Sequence, residues 1–173
     1  VRAINTVVER DIQEIISDSQ IFDAFRGKLI LVTGATGLIG SMVARSLIAA
    51  NDAYHLSLRV ICHVRNIEKA HHMFSDIVDS DILTFVDTPL ESLDIACDYI
   101  MHGAGPTKSK YFVEHPVDTI RTSIHGTERM LELGKEQKIK GMVYLSSMEQ
   151  YGVPYESGQV MTEDRIGYLD HLN

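Results

Sequence analysis

The chain of 173 residues has no tryptophan, only two cysteines and only four prolines. With so few cysteines a disulfide-stapled secreted scaffold is excluded. Cys62 and Cys97 both lie in apolar runs, which suits buried, reduced thiols in a cytoplasmic protein. Basic residues are in the minority, 16 Lys and Arg against 24 Asp and Glu, for a formal net charge of −8. A field of that sign argues against nucleic acid as a partner, although a local site can still hold an anionic substrate. No apolar run approaches a membrane span, so a soluble protein without a signal peptide is expected. What remains is 45% hydrophobic, enough for one α/β domain with a real core. The sequence opens at Val1 rather than methionine and closes at Asn173 in a polar stretch, which points to an incomplete chain.

The rest is organised around Leu29-Ile30-Leu31-Val32-Thr33-Gly34-Ala35-Thr36-Gly37-Leu38-Ile39-Gly40. Its apolar start suits a strand buried on both faces of a parallel sheet. Three glycines at three-residue spacing follow, and Ser41 to Ala50 reads as an amphipathic helix. Strand, glycine turn and helix form the context in which such glycines bind a dinucleotide. Gly34 permits a sharp turn, Gly37 lets a pyrophosphate approach the backbone, and Gly40 lets the helix pack closely on the strand. The helix N-terminus adds free N–H groups and a positive dipole end. Thr36, Leu38 and Ile39 belong to the same cofactor-binding turn. A purely structural glycine turn is the alternative, and the flanking strand and helix favour binding.

Upstream, Val1 to Phe25 reads as a helical extension, with Val7, Val8, Ile12, Ile15 and Ile16 at helical spacing, packed on the domain. Downstream, Leu58 to Val64 is the second strand. Where this fold usually puts an acidic residue on the adenosine ribose, the sequence has Arg65-Asn66. An arginine there can receive a 2′-phosphate, so NAD and NADP both stay open; a solvated loop arginine is the alternative. Asn66 can also cap a helix from Ile67 to Phe74. His71 and His72 are neighbours on that helix and make a poor metal pair, so no metal site is expected. Ile82 to Val86 is the third strand, followed by Asp87. Asp98 to His102 is the fourth, followed by Gly103-Ala104-Gly105-Pro106, whose small residues let a loop approach a cofactor. His102 at the strand end reads as a hydrogen-bonded structural histidine in preference to a catalytic one. Thr107 to Asp118 reads as a polar, irregular loop on the substrate side, with Pro106 and Tyr111 as candidate substrate contacts. A long helix then runs from Thr119 to Lys138, capped by Asp118 and interrupted at Gly126-Thr127.

Met142 to Ser147 is the fifth strand and runs into Met148-Glu149-Gln150-Tyr151-Gly152. A hydroxyl, Ser147, and a carboxylate, Glu149, stand two residues apart where a doubly wound sheet places its chemistry. After Gly152 the chain turns polar and reads as a loop over the substrate side.

Four motifs occur in order: Thr-Gly-x-x-Gly-x-x-Gly, His-x-Ala, Gly126-Thr127 in the long helix, and Ser-Ser-x-x-x-Tyr-Gly. Over Lys28 to Gly152 they resemble the short-chain dehydrogenase/reductase superfamily, in the extended branch of NAD-dependent epimerases and dehydratases of nucleotide sugars. Within it the chain is most similar to UDP-glucuronate decarboxylases, through Tyr111 to Leu133 and through Glu149. The 4,6-dehydratases share that glutamate but carry an aspartate where this chain has Met148. The resemblance implies a Rossmann-type doubly wound parallel sheet with helices on both faces. Residues 28–153 would be the dinucleotide-binding domain, 1–27 an N-terminal extension, and 154–173 the start of a truncated substrate-side part.

The resemblance also implies roles. Asp87 would meet the adenine amino group, and His102, Gly103 and Ala104 would lie on the cofactor. Ser147 would be the catalytic hydroxyl and Glu149 the sugar-side acid/base, both touching a UDP-linked sugar. The long helix would form a homodimer interface. The chemistry implied is internal hydride transfer through a 4-keto sugar, ending in decarboxylation, epimerisation or dehydration. Relatives carry a tyrosine base four residues before a lysine. None of Tyr54, Tyr99, Tyr111, Tyr144, Tyr151, Tyr155 and Tyr168 has that lysine, so the pair is expected beyond Asn173 and the piece alone is expected to be inactive. Ser123 also departs from the asparagine of relatives. Two alternatives follow from these departures. One is a non-catalytic nucleotide-binding protein of this fold, and the other an NADPH-dependent carbonyl reductase suggested by Arg65.

Overall fold

The apolar run after Lys28 becomes strand β1 (Leu29–Thr33), buried almost throughout. Four further strands join it: β2 (Arg59–His63), β3 (Leu83–Val86), β4 (Tyr99–His102) and β5 (Gly141–Tyr144). All pairings are parallel and the order is β3-β2-β1-β4-β5. The order reverses beside β1, so the crevice outside the ends of β1 and β4 is the topological switch point. The structure, a computed structural model, describes residues 6–77, 81–155, 158 and 160–169.

Side chains alternate across this sheet and supply two cores. On one face Ile30, Val32, Val60 and Cys62 pack under helices α3 (Leu38–Tyr54) and α4 (Ile67–Met73). On the other, Leu31, Ile61 and Ile100 pack against Leu90, Leu93, Met130 and Leu133. Met130 and Leu133 belong to the long helix α6 (Pro116–Gln137). Burial on both faces is why the strands are nearly continuous apolar runs rather than alternating ones. Burial also drives the Cys62 thiol up to about 12 and Cys97 up to about 11. Both are free thiols without nucleophilic character.

Several expectations need correction. The described part of the N-terminal stretch is not one helix. It is α1 (Thr6–Ile15), then α2 (Ser19–Phe22) and a final 3₁₀ turn to Phe25. Asp18 causes the break, because its carboxylate accepts the Gln20 N–H and starts a new helix. The segment does pack on the domain: Ile12, Ile16 and Phe22 are buried, Tyr54 donates its hydroxyl to the Ile16 carbonyl, and Phe25 meets Tyr99 edge-on at 5.0 Å. Val1 to Asn5 lie outside the described residues.

Helix α3 starts at Leu38, with Gly37 as its cap, so Gly40 lies inside it. The segment expected to be an irregular loop contains helix α5 (Ser109–Glu114). Helix α6 begins at Pro116, earlier than Thr119, with proline in its first turn. Asp118 therefore sits in the first turn, where it favours the helix dipole instead of capping. Nor is α6 interrupted at Gly126. A Cβ there would lie 2.6 Å from Leu90 Cδ2, so the glycine allows close packing within a continuous helix. Asn66 caps α4 as expected, accepting the Lys69 N–H at 2.7 Å. Among the described residues no helix is long and apolar enough to cross a membrane, and no group of His, Cys, Asp and Glu could hold a metal.

Candidate functional site

Parallel strands in register deliver their following loops to one edge of the sheet. The turns after β1, β2, β3, β4 and β5 carry, in that order, Gly34 to Gly40, Arg65-Asn66, Asp87, Gly103-Ala104 and Ser147 to Glu149. The candidate residues from these five loops therefore meet at one end of the molecule. Pro106, half-buried, and Tyr111 follow β4 at the same end; Tyr111 packs on His115 with ring centroids 4.6 Å apart.

At two positions, Gly34 and Gly40, the β1 turn and the helix after it admit only glycine. Gly34 has φ +71°, and a Cβ on it would lie 2.5 Å from the Gly103 carbonyl oxygen. The β1 and β4 turns thus touch backbone to backbone at the switch point. A Cβ on Gly40 would lie 2.3 Å from the Gly34 carbonyl, so the first turn of α3 seats directly on the glycine turn. Gly37 is different. It is exposed, in an ordinary extended conformation, and its N–H donates to the Gly34 carbonyl at 2.9 Å. Above it the first-turn amides of α3 have no helical carbonyl to serve, and Leu38 and Ile39 are exposed. That is a cradle of N–H groups at the positive end of a 17-residue helix, suited to a diphosphate.

At the neighbouring edges Arg65 and Asp87 are exposed, while Asn66 uses its side-chain oxygen in the α4 cap. Ser147 and Glu149 are also exposed; Glu149 lies in a 3₁₀ turn (Met148–Tyr151) for which Ser147 is the cap residue. The Ser147 hydroxyl donates to the Glu149 carboxylate, so the two groups expected to act together do meet. The chain after them folds back: Val153 pairs antiparallel with Tyr168, and the Gly167 N–H donates to the Tyr151 carbonyl at 2.7 Å. The expected open loop is therefore partly pinned. Its end, Asp170 to Asn173, lies outside the described residues.

His102 has the structural place expected of a strand-end histidine. It is buried, with Nδ1 2.7 Å from the Thr33 hydroxyl and Nε2 3.2 Å from the Thr127 hydroxyl. Burial, helped by the neighbouring His63, pushes its pKa down to about 4. With both ring nitrogens engaged, it lies beneath Gly103 and Ala104 rather than beside them at the surface. Reasoning from sequence gave no role to Thr33 or Thr127. Their hydroxyls stand in the Thr-Gly and Gly-Thr motifs, and that was the signal available.

The profile of the NAD dependent epimerase/dehydratase family matches residues 30–168. The chain belongs to that family. Among its family relatives, the dTDP-glucose 4,6-dehydratase of Streptomyces antibioticus is 30% identical over 129 residues, covering 71% of this chain and 38% of that protein. UDP-glucuronic acid decarboxylase 2 of Arabidopsis thaliana is 28% identical over 141 residues, covering 79% of this chain and 29% of the relative. The fold is shared with the UDP-glucuronic acid 4-epimerase of Bacillus cereus, solved with UDP-glucuronic acid and NAD, at a TM-score of 0.65 and 22% identity. That match covers 82% of this chain and 46% of the epimerase. The chain thus spans less than half the length of each of these relatives, in a Rossmann-type fold.

Proposed function

We propose that this chain is the cofactor-binding part of a nucleotide-sugar-modifying enzyme, with NAD held on the β1 glycine turn. The observation that carries this is the contact of Gly34 with the β4 turn at the switch point, beneath the exposed cradle at the start of α3. The residues present fit the cofactor: Gly34 and Gly40 leave no room for a Cβ, and at the exposed Gly37 a Cβ would sit 3.1 Å from the Gly34 carbonyl oxygen, so the turn stays bare of side chains at all three positions. Thr36, Gly37, Leu38, Ile39 and Gly40 would hold the pyrophosphate, and Asp87 would face the adenine. Gly103 and Ala104 would border the nicotinamide side. Arg65 at the end of β2 is compatible with a 2′-phosphate, so NADP is the second choice.

When bound, the nicotinamide supplies reversible hydride acceptance from the sugar. The chain's own residues do the rest. Ser147 would hold the sugar hydroxyl by hydrogen bonding, and its bond to Glu149 orients that hydroxyl before substrate arrives. Glu149, a carboxylate in an exposed turn, would accept or return a proton on the sugar side. Pro106 and Tyr111 would border the sugar. The substrate is a UDP-linked sugar, and decarboxylation is favoured over dehydration because Met148 stands where dehydratases place an acid. The tyrosine–lysine pair would come from the part of a longer protein that this chain does not include.

Two finer points complete the proposal. Along α6, Val117, Ile120, Ile124 and Leu131 are exposed on one stripe, which supports a homodimer through this helix. The two buried, unpaired thiols fit a reducing compartment, the cytoplasm. The test is to supply the natural full-length protein with UDP-glucuronate and a panel of nucleotide sugars. Carbon dioxide release without net NADH accumulation supports the reading. Net NADPH consumption on a simple carbonyl would favour the reductase, and cofactor binding without turnover of any sugar would leave a nucleotide-binding protein.

A further inference from the structure

Beneath the cofactor crevice lies a buried polar chain that crosses three elements. Thr33 ends β1, His102 ends β4, and Thr127 sits on α6. Thr33 and His102 are register partners on adjacent strands, so their side chains leave the sheet on the same face, toward α6. The Thr33 oxygen accepts the Ala104 N–H at 3.1 Å and the Gly103 N–H at 3.2 Å, the latter shared with the Thr33 carbonyl. With two donors on its oxygen, the hydroxyl's one proton is left for His102 Nδ1 at 2.7 Å. Nδ1 is then the acceptor nitrogen, and the proton of the neutral ring sits on Nε2, aimed at the Thr127 oxygen 3.2 Å away. The opposite tautomer would put a third donor on the Thr33 oxygen and strand its hydroxyl proton in a buried site. Tyr144 stacks on the ring at 5.6 Å and holds its plane.

We propose that Thr127, His102 and Thr33 form a positioning relay: the α6 hydroxyl fixes the tautomer of His102, and His102 aims the Thr33 hydroxyl that holds the Gly103 and Ala104 amides at the edge of the crevice. The amides belong to the loop that presses on Gly34, so the relay sets the spacing of the β1 and β4 turns. Its effect on cofactor rests on the cofactor-binding reading; its hydrogen-bond pattern does not. Helix α6 thereby acts on the site from behind the sheet.

The test uses the whole chain. In nitrogen-15 spectra of the wild type, His102 Nε2 is expected as the protonated nitrogen and Nδ1 as the unprotonated one. Thr127→Val keeps the shape and removes the acceptor. It is expected to mix the tautomers, speed amide exchange at Ala104 about fivefold and weaken NAD binding by a similar factor. Thr127→Ser restores all three, which a mere packing role of the methyl group would not allow. Thr33→Val, if it folds, is expected to weaken NAD more, while Thr33→Ser retains binding. A wild-type ring protonated on Nδ1, or a Thr127→Val variant whose Gly103 and Ala104 exchange is unchanged, overturns the relay. The expected tautomer and exchange with no NAD binding by the wild type would sink the cofactor reading and still support the relay.

Discussion

Gly34 is the residue on which the geometry of the site depends most. An alanine there must adopt φ +71° and place a Cβ 2.5 Å from a backbone oxygen that cannot rotate away. Gly34→Ala is expected to cost about 3 kcal/mol or more, from left-handed strain plus the clash, read by urea denaturation. His102 gives a pH signature. Its folded pKa lies near 4 against an ordinary 6.5, so the unfolded chain binds the proton more readily between those values. The contribution of the neutral His102 to stability is therefore complete above about pH 6.5 and is lost as pH falls toward 4. Melts of the wild type and His102→Gln across this window should differ in slope, the variant being flatter. Gly34, Gly40 and His102 were all legible in the sequence, because a glycine turn and a strand-end histidine announce themselves. The relay was not, because Thr33 and Thr127 are 94 positions apart and only the register of β1 on β4 and the packing of α6 join them.

Arg45 joins elements rather than residues. From α3 its guanidinium donates to both Asp76 oxygens, at 2.6 and 2.9 Å, and to the Met73 carbonyl, over the Phe74 ring. The pair is largely shielded, and the Arg45 hydrogen bonds hold the Asp76 carboxyl below its usual pKa. Arg45→Met strands that carboxylate, and a loss of about 3 kcal/mol in a denaturant melt is expected. The strands were the legible elements, since burial on both faces writes itself as unbroken apolar runs such as Leu29 to Val32. The helical boundaries were less so. The N-terminal periodicity runs on through Ile21 and Phe22, and a side-chain cap at Asp18 overrides it. Helix α5 hides in a polar stretch because six residues give too few turns to show a periodicity.

At the scale of the whole molecule, exposed apolar side chains form a continuous stripe along α6. The loop end of the sheet mixes glycines and polar side chains with the exposed Leu38, Ile39 and Met148, whereas α6 leaves the apolar stripe Val117, Ile120, Ile124 and Leu131 in solvent. If that stripe is a homodimer seam, Ile124→Glu should convert a dimer to a monomer in sedimentation velocity without changing the helical circular dichroism. A monomeric wild type would contradict the dimer. The overall topology was legible from the order of strand, glycine turn and helix. What the exposed α6 stripe covers was not, because Ile120, Ile124 and Leu131 have the spacing of core residues whether the surface they meet is their own or a partner's. The central claim, that the β1 turn is a dinucleotide cradle, is tested most directly by calorimetric titration of this chain with NAD, wild type against Gly37→Val. Gly37 is exposed and in an extended conformation that valine can adopt; its Cβ would sit 3.1 Å from the Gly34 carbonyl oxygen, a tight contact whose cost the circular dichroism checks, and its methyl groups would crowd the side on which a pyrophosphate must approach. Saturable one-to-one binding by the wild type, abolished in a variant with unchanged circular dichroism, is the predicted result; a folded wild type that takes up no NAD, or a variant that binds it equally well, would contradict the account.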